Sequence, residues 1–493
     1  MIDPTRIEAL NGEAVNPGGR YVLYWMQASQ RAEWNHALEY AAARANELRR
    51  PLVVGFGLTD EYPEANERHY AFMLEGLGDV RAALRRRGVR LAVRHGEPPG
   101  VAVALAADAA LVVCDRGYLR HQKRWRGAVA ARAGCRVVQV ESDVVVPVGV
   151  ASDRQETAAR TLRPRHRRHW ERYLVPLATV QVERPSLRLR LPGDGDGREV
   201  DVSDVPAALG RLKLDRSVRP SPVFRGGAAE AGRVLARFLS ERLSGYAANR
   251  SEPAAGATST LSAYLHFGQI SPLEVALAVG AHRGAAPTDR DAFLDEILVR
   301  RELAVNYCHY CPRYDRYEGV PGWARRTLAD HAKDRRPRTY TLRQLESAAT
   351  DDPYWNAAQD EMVLTGFMHN HMRMYWGKKV LEWTRSPRQA FAATLYLNNK
   401  YFLCGRDPNA YANVAWVFGL HDRPWGPRRE VFGTVRYMNA AGLERKFDIG
   451  AYVAKVGAMR ERYGGGGEGY GRGRERDRGR GYSSSSSTPM SAH

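Results

Sequence analysis

The opening third of the chain alternates short apolar runs with amphipathic segments, and this restricts the fold more than any other feature. Apolar runs occur at residues 21–25, 52–56, 89–93, 110–114 and 136–140. Between them, stretches such as 33–48 and 67–87 repeat apolar residues every three to four positions, the helical period. Strands that are apolar on both faces and separated by helices of this length imply a parallel sheet covered on both sides. A Rossmann-like α/β domain is therefore expected over residues 20–141. Its first strand-to-helix turn lacks a GxGxxG pattern, so no dinucleotide site follows by motif.

The remainder is organised differently. Residues 142–227 accumulate Pro, Gly, Arg and Asp, and GDGDG at 193–197 suits neither helix nor strand, so this reads as a long interdomain connection with short structured pieces. Helical patterning dominates 228–455, which gives an α/β domain followed by a mostly α domain. A length of 493 residues exceeds one ordinary domain and accommodates both. From 456 to 493 the chain turns to Gly, Arg and Ser, including GGGG and SSSSS. That composition cannot bury enough apolar surface to fold, so a disordered tail is expected.

Lys and Arg outnumber Asp and Glu 74 to 55, giving a formal charge of +19. The balance points to a polyanionic partner or anionic surface, unless it reflects codon usage alone. Beyond Val456 the chain holds seven Arg and four acidic residues, only +3 of the total, so the folded body is itself basic. Five cysteines in this length form no disulfide framework. Cys308 and Cys311 make one CxxC without a second pair, which suits helix packing better than a metal or redox site; no metal centre is expected. No secretory signal stands at the N-terminus. The longest apolar run, 101–114, carries Asp108 and is too short to span a bilayer. A soluble, intracellular (cytoplasmic) protein without membrane association is expected.

Residues 352–446 carry the chemistry. Trp355 is followed by MHNHMRMYW (368–376), Trp383, YLNNK (396–400), GRDPNAYANVAW (405–416), HDRPWG (421–426) and FGTVRYMN (432–439). A plain core would use Leu, Ile and Val; indoles, carboxamides and guanidiniums suit a planar polar ring and an anionic polymer. This stretch resembles the class II cyclobutane pyrimidine dimer DNA photolyases of the photolyase/cryptochrome family. YVLYWMQASQRAEWNHAL (21–38) is similar to the opening of the same class, and TSTLSAYLHFGQISP (258–272) to its flavin-phosphate segment. The resemblance spans roughly residues 20 to 450.

It implies an enzyme, a deoxyribodipyrimidine photo-lyase, that uses FAD. Photoexcited reduced FAD would pass an electron to a flipped-out dimer in ultraviolet-damaged DNA, double- or single-stranded. An antenna chromophore of deazaflavin or folate type would sit in the first domain, and the protein would act as a monomer, nucleoid-associated when on DNA. Thr258, Ser259, Thr260 and Ser262 place four hydroxyls in five positions before a helical run, which fits an N-cap as well as a phosphate. The resemblance makes these residues, with Leu261 and Tyr246, cofactor contacts. Asn370 and Arg373 share a helix face by spacing; the resemblance brings both to the flavin, with Arg373 stabilising the negative charge of its reduced form. Asn398 matches the amide set against flavin N5, and an amide can accept from or donate to that atom; a helix C-cap is the plainer alternative. Gly405, Asp407 and Asn409 complete the flavin segment. Class II members commonly carry an acid where this chain has Cys404, which removes an anion from the side of Arg373.

Trp376 and Trp383 are two helical turns apart, about 10 Å along one face, as electron hopping or a buried aromatic stripe would require. The resemblance makes Trp376, Trp383 and Trp355 a photoreduction relay with Trp376 nearest the flavin, and Tyr375 a terminal radical reservoir. It assigns Trp416 to the wall of the dimer pocket, Met374 to its floor and Glu296 to the thymine carbonyl edge, with Glu302 as the alternative acid. Arg250, Arg429 and Arg436 would meet phosphates, and Trp425 would buttress the opened duplex. Two rival readings are a cryptochrome-like blue-light photoreceptor and a non-enzymatic nucleic-acid-binding protein with an Arg/Gly tail.

Overall fold

A computed structural model describes residues 2–464. Among these residues, six strands form one sheet in the order β1-β6-β5-β2-β3-β4. They are β1 (Ile7–Ala9), β2 (Tyr21–Trp25), β3 (Leu52–Leu58), β4 (Arg90–His95), β5 (Ala109–Asp115) and β6 (Arg136–Val140). The five apolar runs became β2 to β6, all mutually parallel. β2, β3 and β5 are buried at every position, as central strands covered on both faces must be. Val22 and Tyr24 of β2 join the core under α1 (His36–Glu47) and α2 (Glu67–Arg86). Tyr21, Leu23 and Trp25 join the opposite one, under α3 (Pro98–Ala106) and α4 (Arg120–Arg132). The apolar run 101–114 is thus a helix followed by a strand.

Two expected boundaries need correction. The sheet is not wholly parallel: β1 pairs antiparallel with β6, Ile7 opposite Val140, so the domain begins before residue 20. The structured pieces within the expected connection belong to the first half, since Val182, Val200, Val202, Leu209 and Leu212 pack into the α/β core. The final helix, Ile449–Tyr463, runs past the expected boundary at 456 because Tyr452 and Val456 anchor it against the helical core. The rest of the proposed tail, 465–493, lies outside the described residues. Among the described residues, no helix is long and apolar enough to cross a membrane.

The two halves are joined by donors of the first reaching carbonyls of the second. Arg31, almost wholly buried, donates to Gly268 O at 2.9 Å and pairs with Asp143 at 2.7 Å. Gly268 has φ +65°, and a Cβ there would stand 2.0 Å from Ala28 O, so only glycine permits this approach. Asn66 Nδ2 donates to Lys400 O at 2.7 Å and Arg68 Nη1 to Tyr401 O at 2.9 Å. These are last-turn carbonyls of the helix Pro387–Tyr401, which have no partner within that helix. The start of α2 therefore caps the end of a helix in the other domain.

Candidate active site

Four helices of the second half build the site: Pro353–Thr365, Asn370–Trp383, Pro387–Tyr401 and Pro408–Val417. Three of them begin with an oxygen-bearing N-cap followed by Pro, the pairing that satisfies one orphan N–H and presets the first turn. Asp352 accepts from Trp355 N at 3.0 Å, Ser386 from Gln389 N at 3.3 Å and Asp407 from Ala410 N at 2.7 Å.

The first two helices bring three indoles into one buried cluster. Trp355 and Trp376 lie nearly parallel, 10° apart with centroids at 6.4 Å. Trp383 meets Trp355 at 5.6 Å. The spacing of Trp376 and Trp383 suggested a direct step; instead Trp355, from the neighbouring helix, stands between them. Both inner indoles are locked by hydrogen bonds, Trp355 Nε1 to Trp376 O at 3.0 Å and Trp376 Nε1 to Gln359 Oε1 at 2.9 Å. Tyr340 adds an edge contact to Trp383 at 5.1 Å. Tyr375 instead donates to Asp352, the cap of the Trp355 helix, and burial pushes its phenol pKa well up.

At its inner end, Trp376 meets Phe402 edge-on at 6.5 Å, and the Arg373 guanidinium lies over the same Phe402 ring at 3.7 Å. Arg373 Nη2 is 3.3 Å from Cys404 Sγ, a weak acceptor, and the Phe402 face supplies the guanidinium's other contact. Asn398, 1% exposed, donates through Nδ2 to Asn399 Oδ1 at 2.9 Å. Its side chain does not cap the helix, whose last carbonyls α2 already serves. Arg373 Nε and Asn398 Oδ1 are both buried with no partner among the described residues, one orphan donor and one orphan acceptor in the same corner. A heterocycle with a carbonyl and an N–H on its edge would satisfy both. Gly405 is required by packing, because a Cβ there would stand 2.8 Å from Asn398 O. Asp407 is an N-cap whose carboxyl burial pushes upward in pKa, and Asn409 follows it in the same first turn. Asn370 is exposed at the start of the Arg373 helix.

The hydroxyl run departs from expectation. The helix after it, Ser262–His266, is five residues long and its N-cap is Leu261, which has no side-chain capping bond. Thr258, Ser259 and Thr260 lie half-buried before it, with Thr260 Oγ1 donating to Ser259 O at 2.7 Å, while Ser262 is exposed. The run is therefore a loop of hydroxyls and not a capped helix start. Tyr246 packs edge-on against Phe238 and Phe293, and burial pushes its phenol up to about 12.

Two clusters hold the remaining candidates. Glu296 sits in a π-helical turn, Asp295–Arg300, a form that often marks functional positions. It pairs with Arg250 at 2.5 Å and Arg300 at 3.1 Å, and Arg250 also covers Tyr246 at 5.9 Å. Glu302, only 4% exposed, accepts from Val145 N at 2.5 Å and from His166 Nε2 at 2.6 Å, so it is spent on the domain junction. Around Trp416, Arg436 stands at 5.6 Å and Lys378 Nζ at 4.9 Å. Arg436 also covers Trp425 at 4.2 Å and pairs with Asp422 at 2.9 Å; Asp422 accepts from Trp425 Nε1 at 3.0 Å. Arg429 is exposed beside Tyr437, and Met374 is half-buried on the Trp376 helix. Sequence reasoning missed Gln359, Asn399, Phe402, Lys378 and Asp422. Only Asn399 had a visible signal, the NN doublet.

A cavity of about 1160 Å³, counting the space at its mouth, lies between the halves, and Asp407, expected at the flavin, is part of its lining. Its walls include the carboxyl ends of β2, β3 and β5, at Met26, Leu58 and Arg116, and Phe267, Arg301 and Arg406 of the helical half. This is where strand order reverses direction from β2, the usual ligand crevice of open α/β sheets.

Residues 22–184 match the family described as DNA photolyase. The chain is 49% identical over 461 residues to a deoxyribodipyrimidine photo-lyase of Methanothermobacter thermautotrophicus, covering 94% of this chain and 100% of that one. To a protein of the same name from Potorous tridactylus it is 39% identical, covering 88% and 81%. Among solved structures it is similar to a class III photolyase from Agrobacterium tumefaciens, with TM-score 0.68, 20% identity and coverage of 89% and 86%. It is also similar to an archaeal photolyase from Sulfolobus tokodaii with two FAD molecules, with TM-score 0.65, 16% identity and coverage of 91% and 95%. Identity of this order across nearly the whole length, on a shared two-domain fold, means that the chain belongs to the DNA photolyase family.

Proposed function

We propose that this chain splits cyclobutane pyrimidine dimers in damaged DNA under blue or near-ultraviolet light, with FAD as resident cofactor, in the manner of class II enzymes. The observation that carries this reading is the buried indole path, Trp383 to Trp355 to Trp376, ending through Phe402 beside Arg373 and Asn398. Bound there, reduced FAD would supply a reversible one-electron donor, so that the dimer's carbon–carbon bonds could break without net redox change. Arg373 supplies a fixed cation beside the ring, and Asn398 supplies a carbonyl oxygen. Tyr246 and the loop Thr258, Ser259, Thr260, Leu261 and Ser262 hold the phosphate end. The indole path replaces electrons from outside, and its burial keeps water off the relay.

On the outer face, Trp416 offers a stacking wall for the flipped dimer over Met374, and Glu296 offers an acceptor to its base edge. Arg250 and Arg436 are pre-paired with Glu296 and Asp422, so phosphate contacts must compete with these carboxylates. The interdomain cavity suits an antenna chromophore of deazaflavin or folate type, with aromatic walls and Arg116, Arg301 and Arg406 near an anionic group. The test is a dimer-containing oligonucleotide mixed with the FAD-loaded, chemically reduced protein. Dimers should disappear in blue light and persist in darkness; dimers that persist in both overturn the proposal.

A further inference from the structure

Asn398 and its neighbour Asn399 lie near the end of the helix Pro387–Tyr401, and the orientation of the second decides that of the first. Asn399 is held by two partners whose polarity is unambiguous. The backbone N–H of Arg406, which can only donate, points at Oδ1 from 3.1 Å. The carboxylate of Glu64, which accepts when ionised, takes Nδ2 at 2.5 Å. Turning this amide over would set N–H against N–H and oxygen against carboxylate. With Oδ1 so fixed, the only end of the Asn398 amide that can meet it is Nδ2, at 2.9 Å. The other end, Asn398 Oδ1, is left buried without a donor. A buried carbonyl in that state is unfavourable until something donates to it.

We infer that Glu64 is a positioning residue: through Asn399 it locks the Asn398 amide with its oxygen presented, so the site selects a cofactor nitrogen that carries a proton. This rests on the reading of Asn398 as the contact to flavin N5. An isolated amide could turn over and serve either form; the chain Glu64–Asn399–Asn398 removes that freedom. Both residues that grip Asn399 sit in left-handed backbone uncommon for non-glycine residues, Glu64 at φ +57° and Arg406 at φ +65°. Such conformations persist only where surrounding contacts over-determine them. Glu64 belongs to the loop between β3 and α2, and α2 itself caps the Asn398 helix through Asn66 and Arg68. The α/β half thus sets both the position of that helix and the polarity its amide offers.

The test is a reductive titration of the FAD-loaded full chain at constant pH, reading by absorbance the maximal fraction of half-reduced, N5-protonated flavin. Glu64 is exposed, so its variants should fold. Glu64→Ala should lower the ratio of the two one-electron steps roughly fivefold, the effect of one hydrogen bond. Glu64→Gln retains an acceptor for Asn399 Nδ2 and should restore most of it. In an Asn398→Ala background, Glu64→Ala should add nothing. An unchanged Glu64→Ala titration beside a shifted Asn398→Ala titration refutes the relay and leaves the N5 contact standing. No shift in either overturns both. An effect of Glu64→Ala that survives in the double variant overturns the relay in favour of simple charge.

Discussion

The corner around Asn398 and the face around Trp416 use the same residue types in opposite ways. In the corner, Trp355, Trp376, Asn398 and Asn399 are buried and held by hydrogen bonds within the protein, while Asn398 Oδ1 is left for a ligand. On the face, Arg250, Glu296 and Arg436 are about a third exposed and held by ion pairs that solvent can loosen. The corner is organised before any ligand arrives, whereas the face holds charges in reserve by pairing them. Under the proposed function, an electron donor would use the first arrangement and a polyanion the second, because phosphate contacts must exchange with counter-charges.

The comparison breaks most readily at the indoles. Trp376→Phe should abolish light-driven reduction of the bound flavin while leaving dimer splitting intact after chemical reduction. Undiminished photoreduction would return the stacked indoles to the status of core packing. On the face, Trp416→Ala should weaken binding of dimer-containing oligonucleotide by 1–3 kcal/mol, roughly 5- to 150-fold, with little change for undamaged DNA. Equal losses for both DNAs would mean that Trp416 touches backbone and not the lesion.

The carboxylates Glu302 and Glu296 sharpen the contrast within a single helical run. Glu302→Ala strands Val145 N–H and His166 and should lower unfolding stability by about 3 kcal/mol. Glu296→Gln should change stability by less than about 1 kcal/mol, since its partners are half-exposed, and should instead reduce repair yield. Denaturant unfolding beside a repair assay separates them, and reversed outcomes would exchange their roles.

The smallest effect concerns Lys378, fully buried behind Trp416 and donating to Val417 O. Burial lowers its pKa from 10.5 to about 7. Between those values the unfolded chain holds a proton that the folded chain lacks, so stability rises with pH there. The penalty of a buried cation is fully present below about pH 7. Lys378→Met should therefore raise Tm by about 2 °C near pH 6 and by less as pH rises toward 10. A gain independent of pH would show that packing, and not charge, separates the two side chains.

Much of this molecule was legible in the chain, for identifiable reasons. β2 to β6 announced themselves because strands covered on both faces are apolar throughout. β1 did not: Ile7, Glu8 and Ala9 form no apolar run, and only pairing with Val138–Val140 makes them a strand. The helices of the site carry start signals at Asp352-Pro353, Ser386-Pro387 and Asp407-Pro408 that the sequence reading did not use, although such local signals survive in any context. Trp355 between Trp376 and Trp383 was not readable, because spacing along one helix says nothing about what a neighbouring helix inserts. Glu64 was still less so, lying 335 residues from the amide it orients. Glu302 stood as the alternative to Glu296 on one helical run, and its contacts with Val145 N and His166 distinguish them.

The capping of the Asn398 helix by Asn66 and Arg68 bears on how the molecule is made. Synthesis delivers the sheet and α2 first, so the later half completes its innermost corner against a surface already folded. Produced alone, residues 228–464 would leave the carbonyls of Lys400 and Tyr401 to water and the Asn399 amide free to turn, and should emerge as a colourless fragment that regains yellow colour only when the first half is supplied.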